Sequence, residues 1–376
     1  MRDRRLNTAD TQKKCKVLVV SQYNDPTIGG AERYLREVAS RLALRPDMTV
    51  NILTSDYWDG PGKALSPGCF RFMSASFHPA WLYEAPAILK KCRPDVIYAH
   101  YTLPGLLTVV LHAARKQHIP VALMYHSDIT GFDFIRKSLG GVYFHLMAKG
   151  ELSRCAALFV GTDAYARTSP HLSRIKNRFV TAPPGVDPVM AEGKRAGGKP
   201  YILFVGKPDV PAKGFFYLME AFRLLKKTRP GLELAVIGGL KDSPVFREDG
   251  VRHVGYVHSR KVLAGWYASA AVTVLPSMAE PFGMVLVEAL VAGCPVVATR
   301  SGGNVAFVVQ DENGCLCEPK DSQSLFLALE KALERQEILR ENIRAEKNDY
   351  LNRYNWNNTA ATVASTLLSI GKNVRG

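Results

Sequence analysis

The chain has 376 residues, 47% of them apolar and 22% charged, with a formal net charge of +15: an ordinary globular balance, long enough for two α/β cores. No run of about 18 apolar residues occurs, so no transmembrane helix is predicted; the polar, basic start from Met1 to Lys14 lacks the apolar stretch of a secretory signal and is expected to be a disordered leader. Seven scattered cysteines, with one C-x-C (Cys315, Cys317) and no C-x-x-C, point to a reducing compartment and against a disulfide framework or a zinc site.

Lys16 to Val20 is a short apolar run with β-branched residues, the pattern of a buried parallel strand. After a loop of small and polar residues, Tyr34, Leu35, Val38, Ala39 and Leu42 recur at helical spacing within Ala31 to Leu44. Gly29 and Gly30, between that strand and that helix, let the backbone approach a ligand closely. Further strands are predicted at Val50 to Thr54, Asp95 to His100, Val121 to Tyr125, Ala157 to Gly161 and Phe179 to Ala182. His100 and His126 stand at the carboxyl ends of two of them, where a side chain can be structural or can reach a cleft. Phe134 to Lys149 mixes apolar residues with Arg136, Lys137 and Lys149; such a basic amphipathic stretch either packs on its own domain or lies on an anionic bilayer.

Glu192 to Pro200, rich in glycine and lysine, is the clearest linker. The α/β pattern then restarts, with strands at Tyr201 to Gly206, Glu233 to Gly238, Val272 to Leu275 and Pro295 to Ala298. Alternating strands and helices argue for doubly wound parallel sheets, which bind ligands at the carboxyl ends of their strands. Gly206, Lys207 and Lys213 lie after the first of these strands and before a helix starting near Phe215, a placement that suits a diphosphate or an ordinary solvated loop. Glu280 and Glu288 stand eight positions apart around a helix expected to begin near Phe282, because Pro281 suits a first turn. The backbone of Phe282, Gly283, Met284 and Val285 then offers free N–H groups and a partial positive charge, an anion site. Glu288 lies among Leu286, Val287, Ala289 and Leu290, where burial is costly without a hydrogen-bonding partner. Two carboxylates around an anion pocket suit a ligand with hydroxyls at both ends and phosphate between, as in a nucleotide sugar; the spacing alone equally fits solvated glutamates on a helix of ordinary α/β architecture. No G-x-G-x-x-G follows a strand, which counts against a dinucleotide oxidoreductase.

The segment from Pro276-Ser277 through Gly302-Gly303, with its Glu-x7-Glu spacing, resembles the donor-site signature of the GT-B retaining glycosyltransferases of family 4, glycosyl transferases group 1. Asn313-Gly314, Leu316 and Pro319-Lys320-Asp321 fit the same pattern. The resemblance implies a GT-B fold: two Rossmann-like α/β domains with parallel sheets facing across a cleft. Residues 15–185 would bind the acceptor and 186–356 the nucleotide sugar, with the last helix, about 357–376, packing back on the first domain. By resemblance Glu280 contacts the donor sugar, Glu288 the ribose, Lys213 and Lys207 the donor phosphates, and Gly29-Gly30 face those phosphates; His126 sits near the reacting sugar carbon. Glu280, His126 and Lys213 are thus the implied catalytic residues, and Gly206 and residues 282–285 complete the donor site. The sequence departs from the family in Lys207, where arginine is usual, and in Asn304-Val305-Ala306, where a proline and then a glutamate are usual.

The implied activity is metal-independent, retaining transfer of a sugar from a UDP- or GDP-sugar to an acceptor hydroxyl in glycolipid, polysaccharide or cell-envelope glycan synthesis, with no cofactor. The alternatives are a nucleotide-sugar epimerase of the same fold and a nucleotide-sugar-binding regulatory protein without catalysis. Residues 1–182 hold 25 Lys and Arg against 14 Asp and Glu, a net +11, whereas residues 183–376 hold 24 against 20. That field favours an anionic partner: a lipid-linked, glycan or phosphorylated acceptor, or an anionic membrane surface. Nucleic-acid binding rests on charge alone, without a basic–aromatic motif, and is not expected. The expected location is cytoplasmic, or peripheral on the inner face of the membrane.

Overall fold

The computed structural model describes residues 13–21, 29–54, 58–59, 70–72, 75–101, 105–128, 149–176, 179–239 and 244–375. It divides into two compact units: Met1–Met124 with Cys155–Ala157 and Thr362–Gly376, and Tyr125–Arg154 with Leu158–Ala361. Among the described residues no helix is long and apolar enough to cross a membrane.

The strands are, in chain order, β1 (Cys15–Val20), β2 (Met48–Leu53), β3 (Trp58–Asp59), β4 (Phe70–Phe72), β5 (Ala75–Phe77), β6 (Val96–Tyr101), β7 (Val121–Tyr125), β8 (Ala157–Val160) and β9 (Phe179–Thr181). Seven of them form one sheet in the order β3-β2-β1-β6-β7-β8-β9, and β4 pairs with β5. Val17 faces Val50 of β2 and Val96 of β6 in parallel register. Every residue of β6 and β7 is buried, which is why these stretches read as continuous apolar runs. The helix Gly30–Ala43 buries Tyr34, Leu35, Val38, Ala39 and Leu42, the five residues whose spacing predicts it. From Thr362 onward the C-terminal helix Trp356–Arg375 belongs to this unit. A Cβ on Gly371 would lie 2.8 Å from Cys15 Sγ, so the helix end packs directly on β1.

The second sheet comprises β10 (Tyr201–Val205), β11 (Glu233–Ile237), β12 (Val251–Gly255), β13 (Val272–Leu275), β14 (Val296–Thr299) and β15 (Gly314–Cys317). Its order is β12-β11-β10-β13-β14-β15, and every pairing is parallel. Alternate residues divide between two cores, as the two-residue period of a strand requires. Tyr201 and Leu203 pack with the helices Arg260–Ser269 and Met284–Val291, whereas Ile202 and Phe204 pack with Phe215–Thr228 and Ser322–Glu334. The two edge strands β12 and β15 are absent from the sequence-based expectation. Val-Arg-His-Val-Gly (β12) carries polar residues and is mostly half-buried or exposed, which an edge strand tolerates, whereas Gly-Cys-Leu-Cys (β15) is mostly buried but only four residues long and opens on a glycine.

Residues 158–185 group with the second unit, ahead of the expected boundary at 185/186. The packing shows why. A Cβ on Gly161 would lie 3.2 Å from the Phe282 ring, and one on Gly185 would meet Trp356 N at 2.4 Å. Val186 N donates to Tyr354 O at 2.8 Å.

Arg340, on the helix Gln336–Arg353, ties this unit together from inside and is 3% exposed. Its guanidinium donates to Gly293 O at 2.7 Å, to Ala268 O at 3.3 Å and to Ala270 O. These carbonyls close the C-terminal ends of Arg260–Ser269 and Met284–Val291, where the helix dipole favours a cation.

Candidate active site

The site is built on three loops of the second unit at the carboxyl ends of its strands. After β10, Gly206 leads into a short turn, Pro211–Lys213. Gly214 follows with φ +66, and a Cβ there would lie 2.0 Å from Pro276 O. Only glycine permits both this left-handed conformation and this approach. The loop is thereby held against the segment after β13, with Met278 N donating to Ala212 O at 2.8 Å. The result is the central contact: Lys213 Nζ donates to Glu280 Oε2 at 2.9 Å, with side chains 34% and 12% exposed. The Glu280 carboxylate holds the Lys213 ammonium above its usual pKa, so the lysine is charged at neutral pH.

The third loop, after β14, clamps Glu280 through its backbone. Gly303 N donates to Glu280 O at 2.7 Å, and a Cβ on Gly302 would approach that same oxygen to 2.3 Å. The segment that departs from the family at 304–306 is ordered here as the 3-10 turn Gly302–Ala306. Asn304 is fully buried, and its amide donates to Thr299 O at 3.1 Å.

The helix below begins at Met284, two residues after the expected start, because Gly283 takes the left-handed conformation (φ +79) and sets the N-cap there. Phe282 is buried against the Phe307 and Tyr354 rings, which leaves Gly283, Met284 and Val285 at the helix mouth. Glu288, one turn further in, is 5% exposed. The partners its burial demands are Arg260, whose Nη2 donates to Oε1 at 2.6 Å, and Tyr267, whose hydroxyl donates to Oε2 at 3.0 Å. Burial raises the Glu288 carboxyl above its usual value, and Arg260 and Tyr267 oppose that rise. Lys207 is exposed, and among the described residues no carboxylate pairs with it.

The second unit also brings the loop after β7 to this region. Asp128 is a hub: its Oδ1 accepts from Tyr125 OH at 2.9 Å and Ser169 Oγ at 2.6 Å and lies 3.3 Å from His171 Nδ1, while its N–H donates to Tyr165 OH at 2.7 Å. The Tyr165 ring in turn abuts Gly302, 3.3 Å from where a Cβ would stand. His126 stands two residues earlier on the same loop. His126 keeps part of its surface open, yet its surroundings desolvate the imidazole and push its pKa from 6.5 down to about 4. The ring is therefore neutral at pH 7. Because the folded pKa lies below the unfolded one, stability should fall as pH drops from 6.5 toward 4. Urea midpoints at pH 7 and pH 5 should show that loss, and His126→Gln should lessen it.

Gly29 and Gly30 lie in the first unit, where they open the helix Gly30–Ala43. His100 is 2% exposed between the Tyr34 and Tyr98 rings, a core position in that unit. Arg136 and Lys137 lie outside the described residues, and Lys149, itself exposed, begins the helix Lys149–Ser153, which buries Leu152. Sequence reasoning missed Arg260, Tyr267, Asp128 and Tyr165. Among the described residues no group of three or more His, Cys, Asp or Glu side chains is placed to hold a metal ion.

Comparison with known proteins gives this geometry a family. Residues 187–349 match the model described as glycosyl transferases group 1, and residues 28–189 match that of glycosyltransferase family 4. The D-inositol 3-phosphate glycosyltransferase of Arthrobacter sp. (strain FB24) is 29% identical over 334 residues, covering 77% of this chain and 78% of its own. Sucrose-phosphate synthase from Thermosynechococcus elongatus superposes with a TM-score of 0.72 at 20% identity, covering 94% of this chain and 98% of its own. HepE from Anabaena, solved with UDP-glucose, gives 0.69 at 18% identity over 94% and 99%. The fold is GT-B, and the chain belongs to the group 1, family 4 glycosyltransferases.

Proposed function

We propose that the chain transfers a sugar from a nucleotide sugar to an acceptor hydroxyl with retention of anomeric configuration. The observation that carries this is the Lys213–Glu280 pair at 2.9 Å beside the mouth of the helix that carries Glu288. On this reading the donor diphosphate takes Lys213, Lys207 and the N–H groups of residues 283–285. Glu288 accepts from the ribose hydroxyls, and Glu280 from the sugar. His126, neutral, lies toward the reacting carbon. The bond between the anomeric carbon and the phosphate oxygen breaks, and the nucleoside diphosphate departs with the electron pair. The acceptor oxygen bonds to the same face of the sugar, and its proton passes to the leaving phosphate. Lys213 and the helix N–H groups stabilise the developing charge, so the scheme calls for no metal.

HepE's complex with UDP-glucose supports UDP-sugars as the first donors to try. The inositol phosphate in the Arthrobacter relative's name, with the basic 1–182 half, supports a phosphorylated acceptor. Thermal stabilisation by a panel of UDP-, GDP- and ADP-sugars, followed by product analysis with and without inositol phosphate, tests the reading. A glycosylated acceptor is expected; conversion of the donor alone would mean an epimerase.

Glu288→Gln should weaken nucleotide-sugar binding roughly tenfold, the difference between a charge-assisted and a neutral hydrogen bond. The same affinity should decline on the acid side at a pH above 4.5, the ordinary carboxyl value, as Glu288 protonates. Calorimetric titration of parent and variant from pH 5 to 8 checks both.

The first half's surplus also supports peripheral attachment to an anionic surface, where each Lys or Arg contributes about 1 kcal/mol. Sedimentation with anionic vesicles should be strong at low salt and fall as salt rises. Equal partitioning to neutral vesicles would contradict it.

A further inference from the structure

The linker read from the sequence, Glu192 to Pro200, forms one wall of a cavity of about 590 Å³. The cavity lies at the opposite end of the second sheet from the Lys213 and Glu280 loops. Tyr201 and Glu233 are the first residues of β10 and β11, and Ala271 immediately precedes β13. A strand of five residues separates the two ends by about 15 Å.

We propose that this cavity is a second binding site, for a phosphorylated sugar. Four cations line it: Lys194, Arg195, Lys199 and Arg252. Their neutralisation is incomplete. Lys199 and Arg252 share one carboxylate, Glu233, at 3.9 and 4.0 Å, and Arg195 pairs with Glu337 at 3.0 Å. Four cations against two carboxylates leave about two positive charges, which matches a phosphomonoester near neutral pH.

The Arg252 guanidinium is held 4.9 Å over the Trp266 ring and 5.6 Å over Tyr201. Stacking of this kind fixes a planar fork that can receive two phosphate oxygens. Trp266 adds a flat apolar wall of the sort that packs on a sugar ring. The volume exceeds what a bare phosphate fills and falls in the range of small-molecule sites. Gly197 and Gly198 have nothing within 4 Å of where a Cβ would stand, so this part of the wall borders open space.

Ribose 5-phosphate is the probe, with ribose and inorganic phosphate as controls. Tryptophan fluorescence and calorimetry on the full chain should show saturable binding of ribose 5-phosphate, weaker binding of phosphate and none of ribose. Lys199→Gln with Arg252→Gln should weaken it at least tenfold and leave nucleotide-sugar binding unchanged. Glu233→Gln removes the shared carboxylate and should tighten it several-fold, a gain that misfolding does not mimic. Trp266→Phe should abolish the fluorescence change while the calorimetric signal persists. The assignment is overturned by no saturable binding, by equal affinity for inorganic phosphate, by indifference to the double substitution, or by loss of the signal in Lys213→Ala, which would place the probe in the donor site.

Discussion

Lys213→Ala should lower kcat by roughly 30- to 900-fold, the equivalent of about 2–4 kcal/mol for removing one preorganised charge stabiliser. The expectation rests on geometry. Gly214 and the Met278–Ala212 hydrogen bond fix the lysine loop against the loop that carries Glu280, and the ammonium is already held 2.9 Å from that carboxylate. On the proposed reading, a lysine already fixed in this way would meet the charge that develops on the leaving phosphate. The variant also leaves Glu280, with a side chain 12% exposed, without its cation, so the donor sugar would meet an altered carboxylate. Lys207→Arg should be tolerated, because Lys207 is exposed and arginine adds a bidentate fork. Steady-state kinetics of the two variants side by side checks this; parent-like turnover in Lys213→Ala would remove the diphosphate assignment.

Arg340→Met should destabilise the second unit by about 3–5 kcal/mol, because it strips the charged donor from two buried carbonyls and one half-buried carbonyl at two helix ends. That is a large share of a typical domain stability of about 5–15 kcal/mol. Methionine keeps most of the volume, so the loss is one of hydrogen bonding and charge. Glu288 rides on one of the two helices so tied, and nucleotide affinity should fall along with the melting temperature. Chemical denaturation of parent and variant reads the stability directly; an unchanged midpoint would show that these carbonyls find other donors.

What the sequence reveals and what it hides divide along physical lines. The buried central strands are legible because both faces are covered and their residues are uniformly apolar. β12 escapes because an exposed edge strand carries the polar residues of a loop, and β15 because four residues opening on a glycine are too short a pattern to read. The carboxylate spacing, the lysine loop and the glycine pair after β14 are local patterns, and they fall on the loops described above and on the helix that follows Gly283. The groups that make Glu288 tolerable in a core are not local: Arg260 and Tyr267 stand 28 and 21 positions away on another helix. The Asp128 hub likewise gathers Tyr165, Ser169 and His171 from 37 to 43 positions further along the chain. Only folding brings such partners together. The helix start shows the limit of local rules in the other direction, since Pro281 favours a first turn but the left-handed Gly283 delays it to Met284.

Release of nucleoside diphosphate, followed with the stabilising nucleotide sugar and inositol phosphate in parent and Glu280→Ala, tests the central claim most directly. The account predicts that the parent releases nucleoside diphosphate and glycosylates the acceptor in equal amounts. Glu280→Ala should still bind the free nucleotide through Glu288 but lose turnover by a hundredfold or more, on the order expected for a group that acts at the reacting sugar. Turnover by Glu280→Ala equal to that of the parent would contradict the account.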